Sequence, residues 1–333
     1  MPANQFACVS SRANMAYDHH DKTGNPGDCV KHPALIAALD TALAGHTEQR
    51  PFHYFDAFAG HAWHPLLDEG KVVGIQNALE WPAGIAQVQD RLWDGSPLNK
   101  HVELWRNFYL PKRQLVRGWY PGSSVIAADI CRNHSRERSV RLTLFDISDA
   151  AQNDLRMFFQ PVQPTEKTRM DWCVIGRRFD PAAERIGAIC EPDFVFVDPP
   201  GFGDEADLVD WRPYFQYVLL PRAEQNKATV VWLPASGAEQ DWGRLDALLD
   251  PPTTAPAMKN ANPRFFKQLA ECRWSGFWWS VVRWNDGGSK AACALIYNQA
   301  RDVIVSAIDN ITGIANWDSK HSNPSIRNPG NSE

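Results

Sequence analysis

The chain has 333 residues, 44% hydrophobic and 22% charged, which suits one large domain with insertions or two small ones. A net charge of −5 leaves no global basic field to draw in nucleic acid, although a local basic face stays open. The seven cysteines never pair as C-x-x-C, and no run reaches the roughly 18 apolar residues of a membrane span; the pattern argues against a disulfide framework, a thiolate zinc site and a membrane span, and a soluble, cytoplasmic protein is expected.

Residues 1–14 are small, polar and without period, as in a flexible extension. Over 29–43 the pattern VKHPALIAALDTAL spaces apolar residues as a helix does, with Asp28 able to cap its start and Gly45 just past its end. The aromatic run 51–56 is a strand that leads into Ala57-Phe58-Ala59-Gly60. Residues 63–119 are Trp-rich and read as a helical insertion, closed by a turn at Tyr120-Pro121-Gly122-Ser123 and a short helix. The fourteen tryptophans of the chain are roughly three times average usage, and core packing is their default role.

Beyond the insertion the pattern alternates. Strands are expected at 141–146, around 172–175, at 193–198 and at 228–234; helices are expected at 148–159, 180–188, within 206–226 and at 238–250. A Pro/Ala/Thr linker at 251–263 precedes two strand-like runs, GFWWSVVRW and AACALIY, joined by the hairpin signal Asn285-Asp286-Gly287-Gly288. From about Trp317 the tail 317–333 reads as disordered, so a single domain is expected over 15–316. Short apolar strands alternating with helices imply a mainly parallel sheet with right-handed crossovers. A parallel sheet ending in an antiparallel hairpin is the α/β, Rossmann-like plan of class I S-adenosylmethionine-dependent methyltransferases.

In such a sheet ligands bind beyond the carboxyl ends of the strands, where Asp56, Asp146 and Asp198 fall. Asp146 follows the second strand, where an acid can hold both hydroxyls of a cofactor ribose. Asp56-Ala-Phe-Ala-Gly60 brings a glycine backbone near the cofactor. Each acid taken singly could equally cap a helix start. No G-x-G-x-x-G or P-loop is present, which disfavours a dinucleotide or nucleotide-phosphate site. The segment FVFVDPP (194–200) is more specific, because two prolines directly after a buried strand end the ladder and pin the backbone. The Asp198 carboxylate and Pro199 carbonyl can then accept from one amine and aim its lone pair at an incoming methyl group. His61 and His64 form a close pair with no third ligand nearby in sequence, so no metal is expected.

Four segments resemble the RlmJ family, bacterial methyltransferases that modify an adenine exocyclic amine in ribosomal RNA. They are the opening run 17–32 (YDHHDKTGNPGDCVKH), the strand and loop 52–60, the turn Tyr120-Pro121-Gly122-Ser123, and Asp198-Pro199-Pro200. The resemblance implies that His32, Ser123 and Asp146 contact S-adenosylmethionine, with Asp56, Phe58 and Gly60 in the cofactor loop. It implies that Asp198 holds both the cofactor's methionine end and the target amine, and that Tyr17, His19 and Lys31 lie over the cleft toward substrate. RNA is the implied partner.

The chain departs from the family pattern at three places. Gly201 stands where amine methyltransferases of this type carry an aromatic that stacks on the target base; Phe202 is the candidate substitute. The family's Asp-Gly that meets the cofactor adenine aligns near Arg177-Arg178, which puts Arg178 at that subsite; a phosphate contact or a solvated pair are the other readings. Phe58 replaces a family His. Such changes leave open an acceptor that is a small molecule, peptide or protein, and also a non-catalytic methyltransferase-like binding protein.

Overall fold

The strand Phe52–Asp56 (β1) is buried at all five positions, as in a strand covered on both faces, with its polar side chains His53 and Asp56 held by hydrogen bonds. It lies inside an eight-stranded sheet in the computed structural model, which describes residues 23–65, 83–92, 94–95, 97–109, 119–134, 139–160, 170–184, 192–199, 211–219, 221–222, 225, 227–235, 278–283, 290–295 and 298–321. The extension 1–14, the run 238–263 and the turn 285–288 lie outside the described residues, as do Tyr17, His19, Pro200, Gly201 and Phe202.

In chain order the described elements are helix Pro26–Gly45 (α1), β1, strand Trp63–Pro65 (β2), helices Ile85–Leu92 (α2) and Lys100–Tyr109 (α3), strand Trp119–Pro121 (β3) and helix Ser123–His134 (α4). Then follow strand Val140–Phe145 (β4), helix Asp149–Phe159 (α5), strand Met170–Ile175 (β5), the short helix Pro181–Glu184 (α6), strand Phe194–Val197 (β6) and the short helix Trp211–Tyr214 (α7) with a π turn after it. Strands Ala228–Ala235 (β7), Trp278–Arg283 (β8) and Lys290–Leu295 (β9), helix Arg301–Ala315 (α8) and strand Asp318–His321 (β10) complete the chain. The sheet order is β10-β8-β9-β7-β6-β1-β4-β5. β5, β4, β1, β6 and β7 run parallel, and β9, β8 and β10 extend the sheet by antiparallel pairing, the hairpin plan that the sequence implied. β2 and β3 pair with each other at the two ends of the Trp-rich segment, so Tyr120 and Pro121 belong to a strand and the chain turns only at Gly122.

α1 starts earlier than its apolar period suggests. Asn25 caps it by accepting from the Asp28 amide at 2.8 Å, and Pro26 takes the first turn, where a missing N–H costs nothing. Asp28 is not the cap. Its side chain accepts from the Gly24 amide at 2.7 Å and lies buried inside the first turn. Almost every residue of α1 is buried, because it packs on β6 and β7 and against α3, α4 and α8. The polar side chains it buries, Asp28, Lys31, His32 and Asp40, are each held by a partner.

The amino ends of the strands are fastened by charge. Arg50 grips Asp193 through two hydrogen bonds of 2.8 and 2.6 Å, and Asp193 also accepts from the His53 amide. The buried Arg222 donates to the carbonyls of Pro192, Asp193 and Ala228. Both ties set where β1, β6 and β7 begin and so where their other ends fall.

The expectation of a disordered tail from Trp317 fails for its first five residues. α8, with Ile304, Ala307, Ile308 and Ile311 buried at helical spacing, ends at Asn316 in the left-handed conformation (φ 57°). The Trp317 amide then donates to the Thr312 carbonyl at 2.8 Å, and the ring is buried. β10 follows along β8. His321 joins Ser280 at 2.7 Å and Asp309 at 2.8 Å through its two ring nitrogens. This Ser–His–Asp chain is a clasp and no nucleophile, since Ser280 is fully buried. Removing residues 317–333 should therefore cost at least about 2 kcal/mol through the loss of one buried aromatic alone. Thermal or urea denaturation of the truncated chain checks this, and a dispensable tail would leave stability unchanged.

Candidate active site

The chain passes from β1 to β4 and β5 on one side of the sheet, then crosses to β6 and β7 on the other. The switch point of the parallel sheet thus lies between β1 and β6, where the crevice of an open α/β sheet forms. Asp56 ends β1 and Asp198 follows β6, so the two acids flank that crevice.

The loop after β1 is laced to both neighbouring strands. The Ala57 amide donates to the Phe196 carbonyl at 3.0 Å and the Ala59 amide to the Phe145 carbonyl at 2.9 Å. Gly60 takes a left-handed φ of 62° and donates to Asp146 Oδ2 at 2.9 Å; among the described residues a Cβ there would meet nothing within 4 Å. At Gly122 the opposite holds, since a Cβ would sit 2.2 Å from the His61 carbonyl oxygen. Only glycine lets β3 turn into α4 so close to that backbone.

Asp56 is fully buried and accepts three hydrogen bonds, from Tyr54 Oη and Ser123 Oγ at 3.0 Å each and from the Phe58 amide at 3.1 Å. Burial pushes its carboxyl up to about 7, against the pull of those donors and with some help from the charge of Asp198. Asp146 is raised too, again chiefly by burial, while the Ser148 and Gly60 amides oppose the shift. It is not the cap of α5. Ser148 is, accepting from the Ala151 amide at 3.3 Å, and Asp146 instead ties the β1 loop to the start of that helix.

Lys31 is placed differently from the position over the cleft that the resemblance implies. It is 4% exposed, and its Nζ lies 2.5 Å from Asp198 Oδ2 and 2.8 Å from Asp28 Oδ1. Desolvation works against the ammonium, but the attraction of Asp198 and Asp28 outweighs it and raises Lys31 above the usual lysine range. The next residue, His32, is also buried; its Nδ1 lies 2.8 Å from Tyr120 Oη and the two rings stack at 5.5 Å. α1 thereby touches β6 through Lys31 and β3 through His32.

Phe58 is half-buried with its ring stacked on Tyr214 at 5.7 Å. Pro199 is buried. Of the two arginines past β5, Arg177 pairs with Glu184 and covers the Phe145 ring at 5.4 Å. Arg178 is exposed, and its side chain makes no hydrogen bond or ion pair among the described residues. His61 lies 3.6 Å from Asp154, which also accepts from the Trp63 amide.

Sequence reading thus names Asp56, Phe58, Gly60, Ser123, Asp146, Asp198 and Lys31 among the groups that gather at this end of the sheet, and misses Asp28, the hydroxyls of Tyr54 and Tyr120, and Tyr214. Asp28 was detectable as the i, i+3 partner of Lys31. Tyr214 carries no local signal.

The strand order, a parallel sheet extended by an antiparallel hairpin, is that of the Rossmann-like class I methyltransferase fold. The fold is shared with the Legionella pneumophila protein LPL1258, of the family designated DUF519, which is the RlmJ family, at a TM-score of 0.58 and 16% identity over 91% of this chain and 98% of that one. At that identity the likeness concerns the fold, and it falls on the same family that the four sequence segments resemble. No family model and no curated protein matches the chain. Among the described residues, no helix is long and apolar enough to cross a membrane.

The Asp56 shift has a definite sign. A carboxyl at about 7 when folded and 3.8 otherwise favours folding below 3.8, and that advantage is lost as pH rises through 7. Asp56→Asn should remove this dependence, so that the variant gains on the wild type between pH 4 and 8 by up to about 4 kcal/mol. Urea denaturation at several pH values measures the gap, and a gap independent of pH would refute it.

Proposed function

We propose that this chain is an S-adenosylmethionine-dependent methyltransferase acting on an amine nitrogen, most specifically the exocyclic amine of adenine in ribosomal RNA. The observation that carries the reading is Asp198-Pro199 at the end of β6, facing the crevice opposite Asp56.

The donor set suits the cofactor. S-adenosylmethionine supplies an electrophilic methyl on a sulfonium, and it also carries an ammonium, a carboxylate and a ribose diol. Asp56, Asp146 and Asp198 bring three carboxyls to one end of the sheet, and Lys31 offsets the charge of only one of them directly. Asp146 accepts one amide on each oxygen, which leaves a lone pair on each for a ribose hydroxyl. His32 and Ser123 border the same end, and Arg178 stands where the resemblance puts the cofactor's adenine.

Toward the acceptor, Asp198 Oδ2 is taken by Lys31 while Oδ1 makes no hydrogen bond among the described residues. Oδ1 and the Pro199 carbonyl are then the two acceptors for the N–H groups of a planar amine, drawing its lone pair out of conjugation. Lys31 holds the Asp198 side chain in place through this ion pair, and a carboxyl group there stands close to the positive charge that grows on the methylated nitrogen. Tyr17, His19 and Phe202 are the proposed contacts to the substrate.

A second reading keeps the cofactor and moves the acceptor to a small molecule, peptide or protein. It is favoured by Gly201, where a base-stacking aromatic worth roughly 1–3 kcal/mol is missing, and by the net charge of −5.

Incubation with methyl-labelled cofactor and protein-free ribosomal RNA, with a cell extract in parallel, separates these readings. Label in RNA adenine supports the first, and label in low-mass or protein products the second. Cofactor binding without transfer to any of them, or no binding at all, would favour a binding protein of this fold. Asp198→Asn should lower transfer at least about a hundredfold, and a variant of undiminished rate would remove Asp198 from the chemistry.

A further inference from the structure

The two departures at Phe58 and Arg177 are joined in the structure by one chain of rings. Phe55 on β1, Phe145 at the end of β4 and Phe179 beyond β5 meet one another at centroid distances of 5.1, 5.0 and 5.4 Å. Arg177 covers the Phe145 member. Tyr214 continues the chain, edge-on to Phe179 at 5.7 Å, with its hydroxyl donating to the Phe179 carbonyl at 3.2 Å. Tyr214 is also stacked on Phe58, 26° from parallel. Phe58 alone of these rings is half-exposed; the others are buried.

This arrangement bears directly on the β1 loop. The Phe58 amide holds Asp56 Oδ1, and two residues later the Gly60 amide holds Asp146. A half-exposed aromatic in a loop has little to fix its rotamer unless one face is covered. Here Tyr214 covers it, and Tyr214 is itself fixed by burial and by its bond to a carbonyl beyond β5.

We propose that Tyr214 is the positioning residue of the cofactor loop: by holding the Phe58 ring it sets the Asp56 carboxyl and the Gly60 amide in the geometry that receives the ligand. Its use in cofactor binding rests on the reading of function given above. Tyr214 does not touch the ligand and acts through Phe58.

The test compares Tyr214→Leu, which removes the stack, with Tyr214→Phe, which keeps the stack and loses only the hydroxyl. Amide hydrogen exchange should quicken about tenfold at Phe58 and Gly60 in the Leu variant, while Tyr54 and Phe55 of β1 stay as protected as in the wild type. Calorimetry should show the dissociation constant of S-adenosylmethionine rising by about the same factor, with the Phe variant within about threefold of wild type on both measures. Phe58→Leu, at a half-exposed site, should repeat the exchange effect at Gly60 if Tyr214→Leu folds poorly. Unchanged exchange at Phe58 and Gly60, or exchange that quickens across the whole sheet, would overturn the proposal. A wild-type protein that binds no cofactor would sink the reading of function, and the exchange comparison would still decide whether Tyr214 holds the loop.

Discussion

A lysine ammonium closed off from water must be matched by negative charge that is closed off with it. Lys31 is such a group, and the match comes from two directions: Asp28 one turn back on the same helix, and Asp198 at the end of β6. The pair fixes the rotation of α1 about its axis, because no other orientation keeps the ammonium satisfied. With α1 so turned, His32 meets Tyr120, and the remaining faces pack on the sheet and on α8. Stability and the proposed chemistry share one residue here. Losing Lys31 would leave two carboxylates together with little water, and losing Asp198 would leave the cation half-matched.

The acids at the carboxyl end of the sheet are held by different partners. Asp198 has a cation at hydrogen-bond distance. Asp56 has only neutral donors, two hydroxyls and an amide, and burial raises it into the neutral range. A carboxyl poised there responds to an arriving positive charge by releasing its proton. An ammonium or sulfonium group in the crevice would thus be met by a carboxyl that burial holds partly protonated near neutral pH.

The parallel sheet was legible because its strands are short, apolar and spaced by helical patterns, a signal that survives without partners in view. The acid positions were legible for the same reason, since a strand end is visible from its own sequence. Contacts that join distant segments were not. A lysine in a helix reads as a solvated cation, and nothing near Lys31 reveals an aspartate 167 residues away. Local reading also misplaced the cap of α1, where Asn25 followed by Pro26 was the better signal. α8 went unassigned although its isoleucines keep a helical period, and the polar residues after it hid an edge strand. Tyr214 shows the limit most plainly, because a single tyrosine gains its role only from the ring it covers.

The near-complete burial of α1 has a consequence for how the chain is made. The helix lies close to the beginning of the sequence, yet it packs against α8, close to the end. During synthesis at roughly 5–20 residues per second, its apolar surface waits on the order of ten to fifty seconds for that partner. Through that interval the nascent chain presents a helix whose α8-facing side has no partner. Its folding yield in cells should depend on holdase chaperones and on the speed of translation more than the stability of the finished protein would suggest.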